Sequence, residues 1–170
     1  MDLQPKTLEK IEQVIPRYPE RRSALLPLLH LVQEDQGYIS KDAMEWIAEK
    51  IGCEPIHVYE LVTFYPMLRE KPAGKKQIRV CRTLSCALAG SYKVCELFQE
   101  KLGAPLDGVS EDGEYSVEFV ECLASCGTAP AVLLNDKLYE KVAPERVESF
   151  INEHVYSGSC QKKEEGSVEE

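Results

Sequence analysis

Residues 71–86, KPAGKKQIRVCRTLSC, decide how this chain divides. KPAGKK, 71–76, has the Pro, Gly and lysines of a linker. QIRVC, 77–81, is a short apolar strand running into a loop that holds Cys81 and Cys86. Before the linker the apolar residues recur at helical spacing. After it, strand and helix patterns alternate.

Upstream, Leu8, Ile11, Val14 and Ile15 fall on one helical face, and Pro16 and Pro19 close that segment. ERRSALLPLLHLVQEDQG, 20–37, carries a stripe of Leu25, Leu28, Leu29 and Val32. Its Pro27 kinks the helix or marks its first turns, and Gly37 stops it. Ser40 is an N-cap for KDAMEWIAEKIG, with Met44, Ile47, Ala48 and Ile51 inward and Gly52 at the end. Pro55 opens a fourth helix carrying Val58, Tyr59 and Val62, which Pro66 ends. Four short helices on tight connections predict a small antiparallel bundle over 1–74.

Downstream, GSYKVCELFQEKLG, 90–103, is an amphipathic helix with Val94, Leu97, Phe98 and Leu102 on or near one face. A turn-rich stretch with Asp107-Gly108 and Asp112-Gly113 follows. YSVEFVEC, 115–122, alternates as a strand and ends at a cysteine. AVLL and KLYEKV, separated by Asn135-Asp136, predict a hairpin, and Pro144 opens a last helix, PERVESFINEHV. The order strand, helix, strand, strand, strand, helix predicts an α/β domain over 75–156 with a small mixed sheet covered by helices. The tail, 157–170, has no apolar period and is expected to be a disordered acidic tail.

The whole chain has 170 residues, 44% of them apolar, enough for a packed core. Its net charge of −9 argues against nucleic acid and anionic membrane surfaces, whose binding relies on basic side chains. Within DAMEWIAEKIGCEPIHVYELVTFY, which resembles a helix-turn-helix, the second helix offers His57 and Glu60 where base readout wants Arg, Lys, Asn or Gln. No stretch approaches the roughly 20 apolar residues of a transmembrane helix. MDLQPKTLEKIEQ has neither secretory nor transit character, so a cytoplasmic location without membrane insertion is expected.

Seven cysteines are many for such a chain, and in a reducing compartment they point to metal or redox chemistry before disulfides. Four fall in two pairs, Cys81-x4-Cys86 and Cys122-x3-Cys126, with 35 residues between the pairs. Each pair begins at the C-terminal end of a predicted strand. If those strands are parallel neighbours, the two loops share one edge of the sheet. A [2Fe–2S] cluster needs four thiolates, two for each iron. Small residues suit it: Ser85, Ala87, Ala89 and Gly90 in one loop, Ala124, Ser125, Gly127 and Thr128 in the other. They let backbone N–H groups approach the sulfurs. Zinc also takes four cysteines, although its structural pairs usually have shorter C-x2-C spacing. Two disulfides, or plain buried thiols, are the remaining readings. Cys53, Cys95 and Cys160 have no partner at ligand spacing and read as non-ligands, as do His30, His57 and His154.

SALLPLLHLVQEDQGYIS, TFYPMLREKPAGKKQIRVCRTLSC and above all VECLASCGTAPAVLLND closely resemble the NuoE family. These are the thioredoxin-like [2Fe–2S] ferredoxins of the NADH-oxidising module of respiratory complex I. The resemblance runs from about Tyr18 to about His154. It implies a helical bundle followed by a thioredoxin-like domain, with Cys81, Cys86, Cys122 and Cys126 as ligands of one [2Fe–2S] cluster. It implies an electron-carrier subunit of NADH:quinone oxidoreductase, at the cytoplasmic face of a membrane, exchanging single electrons with a partner flavoprotein. That partner, not this chain, carries FMN and NADH. No Gly-rich dinucleotide fingerprint, nucleophile–base pair or phosphate loop is present, which predicts no catalytic site of the chain's own. The equivalent subunit of an NAD(P)-linked or electron-bifurcating hydrogenase shares these motifs. A zinc-stabilised interaction module is the alternative of another class. Thioredoxin-like folds often set a cis-proline before a strand beside the active-site loop, which predicts a cis Ala129–Pro130 bond.

Overall fold

The computed structural model describes residues 3–156, so the tail and Cys160 lie outside the described residues. The chain forms two compact units, Met1–Ala73 and Gly74–Glu170. In the first, α1 (Pro5–Val14), α2 (Leu25–Gln36), α3 (Lys41–Ile51) and α4 (Pro55–Phe64) enclose an apolar core. Ile11, Leu28, Leu29, Ile47 and Val58 are fully buried there. Pro27 lies in the first turn of α2, where its missing N–H costs no hydrogen bond. Gly37 ends that helix at φ +82, a left-handed conformation that a Cβ disfavours. The Ser40 side chain accepts a hydrogen bond from the Ala43 N–H at 3.2 Å and starts α3 as an N-cap. Tyr59 departs from the expected pattern: its ring is exposed while Val58 and Val62 are buried. Helix α4 also ends at Phe64, before Pro66 is reached, because the residue preceding a proline, Tyr65, is held extended.

The second unit pairs strands in the order β2-β3-β1-β4-β5 among its described residues. These are β1 (Lys76–Cys81), β2 (Gly108–Val109), β3 (Tyr115–Val120), β4 (Val132–Leu134) and β5 (Lys137–Tyr139). β1 and β3 run parallel, with Cys81 opposite Val120. The other pairings are antiparallel, including the β4–β5 hairpin across Asn135-Asp136. The sheet is therefore mixed, and the architecture is α/β after an α-helical bundle. Gly74 is needed where β1 begins, because a Cβ there would stand 2.3 Å from the Tyr115 carbonyl carbon.

Helix α6 (Ser91–Leu102) lies against β1 and β3 and buries Val94, Cys95, Phe98 and Leu102. Full burial of a side chain such as Phe98 contributes about 1.5–3 kcal/mol. The ring meets that of Phe150 edge-on, with centroids 5.6 Å apart. The closing segment is not one α-helix. A 3-10 turn, Pro144–Arg146, leads into α7 (Val147–Phe150), and a π-helical turn, Ile151–Tyr156, follows. Two further elements were not expected: the two-residue strand β2, and α5 (Leu84–Leu88), a five-residue helix where the sequence predicts a loop. Among the described residues no helix is long and apolar enough to cross a membrane.

Candidate functional site

Parallel pairing of β1 and β3 sends both cysteine segments off the same end of the sheet. Cys81 is the last residue of β1, and Cys86 sits on α5 one turn further on. Cys122 follows β3 by two residues, and Cys126 opens a 3-10 turn, Cys126–Thr128, that packs against α5. Backbone bonds hold the strand end closed: the Cys81 N–H donates to the Ala131 carbonyl at 3.1 Å, and the Arg82 N–H to the Val120 carbonyl at 3.0 Å. Arg82 and Glu121, neighbours in that parallel register, form an ion pair between the two loops.

Cys81 and Cys86 are buried beside Ala131, with Leu123 and Ala129 packed against them. Cys122 and Cys126 are exposed. All six described cysteines are free thiols. Among the described residues, no three His, Cys, Asp or Glu side chains stand together as a metal-holding group. Cys81 and Cys86 share one buried cluster, against which Leu123 of the Cys122 loop packs. Cys126 is close enough that negative charge on it opposes ionisation of Cys86.

The sulfurs are met by backbone donors. Burial by itself pushes the Cys81 thiol up. Hydrogen bonds from the Thr83 side chain and backbone, the Leu123 backbone and Cys86 outweigh it and carry Cys81 below its ordinary value. The Thr83 hydroxyl lies 3.2 Å from Cys81 Sγ. Burial raises Cys86, helped by Cys81 and Cys126 and opposed by a backbone bond from Ala131. Ala124, at φ +57, directs its N–H to Cys122 Sγ at 3.3 Å. Four thiols on two adjoining loops, three of them met by backbone N–H groups, suit the donor chemistry of a thiolate-bound iron–sulfur cluster.

Ala129–Pro130 is cis, as expected, and the Pro130 carbonyl accepts from the Val142 N–H at 3.0 Å. Leu84 and Leu88, four residues apart on α5 and flanking Cys86, are 75% and 81% exposed. Cys95 is buried in the core beneath α6, and Cys53 belongs to the first unit, packed against its helical core. His154 stacks on Tyr139, with ring centroids 4.7 Å apart.

Sequence reasoning missed Arg82, Glu121, Thr83 and Glu140. The first two were within reach, since parallel pairing of strands ending at Cys81 and Val120 aligns residues 82 and 121. Glu140 gave no signal. It follows directly on β5, and the hydroxyls of Ser125 and Thr128 both donate to its carboxylate. Those two bonds, Ser125 first, hold its carboxyl below the usual range.

The model of the family "Thioredoxin-like [2Fe-2S] ferredoxin" matches residues 11–154. An NADH-quinone oxidoreductase subunit of Rickettsia bellii is 39% identical over 150 residues, covering 86% of this chain and 90% of the relative. NADH-quinone oxidoreductase subunit 2 of Thermus thermophilus is 40% identical over 144 residues, covering 83% of this chain and 80% of the relative. Among solved structures, an NAD+-reducing [NiFe]-hydrogenase in the air-oxidized state aligns with a TM-score of 0.63 at 19% identity. That alignment covers 76% of this chain and 22% of the hydrogenase chain, and it speaks to the fold alone.

Proposed function

The chain belongs to the thioredoxin-like [2Fe–2S] ferredoxin family, and from that premise we propose that it is the iron–sulfur electron-carrier subunit of an NADH:quinone oxidoreductase. Cys81, Cys86, Cys122 and Cys126 are the proposed ligands of one cluster. The observation that carries this reading is the parallel β1–β3 pair, with Cys81 opposite Val120, from whose common end both cysteine segments depart. When bound, the cluster supplies one-electron uptake and release.

The chain's own residues have three tasks in this reading. The four thiols bind iron as thiolates, and the hydrogen bonds that lower Cys81 favour the form that binds. The N–H groups of Leu123, Ala124 and Ala131 offset negative charge on the sulfurs. The exposed Leu84 and Leu88 give the site an apolar rim of the kind partner proteins cover. The proposed partner is a flavoprotein with FMN and an NADH site, within a peripheral arm at the cytoplasmic face of the membrane. Hydride chemistry belongs to that partner.

Anaerobic purification followed by iron, sulfide and zinc analysis tests the assignment. Two irons and two sulfides per chain are expected, following the composition of the cluster, with an EPR signal on reduction. A colourless protein holding one zinc and no iron overturns it. Neighbouring genes separate the two assemblies. Quinone-reductase membrane subunits accompany the proposed one, and hydrogenase subunits would indicate the other.

A further inference from the structure

The second cysteine loop is held from outside by one carboxylate. Ser125, immediately before Cys126, and Thr128, two residues after it, both donate their hydroxyls to Oε1 of Glu140. Their hydroxyl oxygens are 3.0 Å apart, and the Thr128 N–H closes the turn on the Ser125 carbonyl at 3.1 Å. The segment carrying Glu140 is itself tied to the loop by its backbone. The Lys141 N–H donates to the Thr128 carbonyl at 2.8 Å, and the Val142 N–H to the Pro130 carbonyl at 3.0 Å. Carboxylate and main chain thus grip residues 125–130 together.

We propose that Glu140 is a positioning residue for the Cys126 loop whose fixed negative charge also makes a cluster held there harder to reduce. The proposal rests on the cluster reading above. Two hydroxyl donors need only an acceptor oxygen, which a glutamine amide supplies equally well. A carboxylate adds charge, and the potential of an iron–sulfur centre responds to the charge and hydrogen bonding around it. Added negative charge opposes the uptake of an electron, so its removal raises the midpoint potential. Glu140 is exposed, so salt weakens its field, and the contribution shrinks as ionic strength rises.

Full-length wild type, Glu140→Gln and Glu140→Ala, each purified anaerobically, separate the two roles. Iron and sulfide per chain report the loop. An EPR-monitored redox titration at low and at high salt reports the charge. Glu140→Gln is expected to keep wild-type iron and sulfide while its midpoint moves positive, by more at low salt than at high salt. Glu140→Ala is expected to lose iron and sulfide. A Glu140→Gln midpoint equal to wild type at low salt, or full cluster content in Glu140→Ala, overturns the proposal while the cluster reading stands. Wild-type protein without iron overturns both.

Discussion

Cys95 lies inside α6 among Val94, Phe98 and Leu102, where burial pushes its thiol up to about 11. At neutral pH it is a protonated, inert core residue. Cys81 is also buried, yet hydrogen bonds from Thr83, Leu123 and Cys86 turn its environment the other way. Burial alone therefore does not set a thiol's ionisation: Cys95 meets a single donor, Gln99 Nε2 at 3.7 Å, and stays raised, whereas the several donors around Cys81 outweigh its burial. Two substitutions test the proposed ligands. Cys122→Ala removes one of four proposed thiolates and is expected to abolish the EPR signal and most of the iron. Cys95→Ala is expected to leave both in place. A wild-type signal in Cys122→Ala would refute the ligand set.

Several short elements carry the two units, and each has a local cause. Helix α3 begins at Ser40 because its hydroxyl takes the Ala43 N–H. Ser40→Ala is expected to cost about 1 kcal/mol, read as a lower urea midpoint with an unchanged slope. Capped helices of this kind were legible in the sequence, since Ser40, Gly37, Gly52 and Pro55 act within one turn. The helix α5 was not. Five residues give too little periodicity to register, and its exposed Leu84 and Leu88 do not mark an inward face. The closing segment was legible as helical, but its 3-10, α and π turns were not. Phe150 and His154 of that segment seat around Tyr139, a contact between separate elements that no local pattern encodes.

At the scale of the molecule, each unit has its own core: Leu28, Ile47 and Val58 in the first, and Ile78, Val94 and Phe98 in the second. All four proposed ligands belong to the second unit. A fragment of residues 74–156 is therefore expected to fold and, after anaerobic reconstitution, to bind iron and sulfide at the level of the full chain. Residues 1–73 are expected to bind neither. Iron and sulfide assays on the two fragments decide this, and cluster loss in the larger fragment would make the bundle part of the site. The change from bundle to sheet has a local signal, because KPAGKK breaks the helical period where Gly74 meets the Tyr115 backbone.

By itself the sequence determined the change from helical to alternating pattern, the existence of most helices and strands, and the candidacy of four cysteines at strand ends. These rest on local chemistry: apolar period, capping residues, Pro and Gly breaks, and spacing within a single loop. Only the tertiary structure decided that β1 and β3 are parallel neighbours, and that Leu123 and Ala131 turn their N–H groups to Cys81 and Cys86. It alone brought Glu140, at the end of the β4–β5 hairpin, to the hydroxyls of Ser125 and Thr128. Each of these joins residues from separate elements, and no local pattern encodes which partners the packed core will bring together.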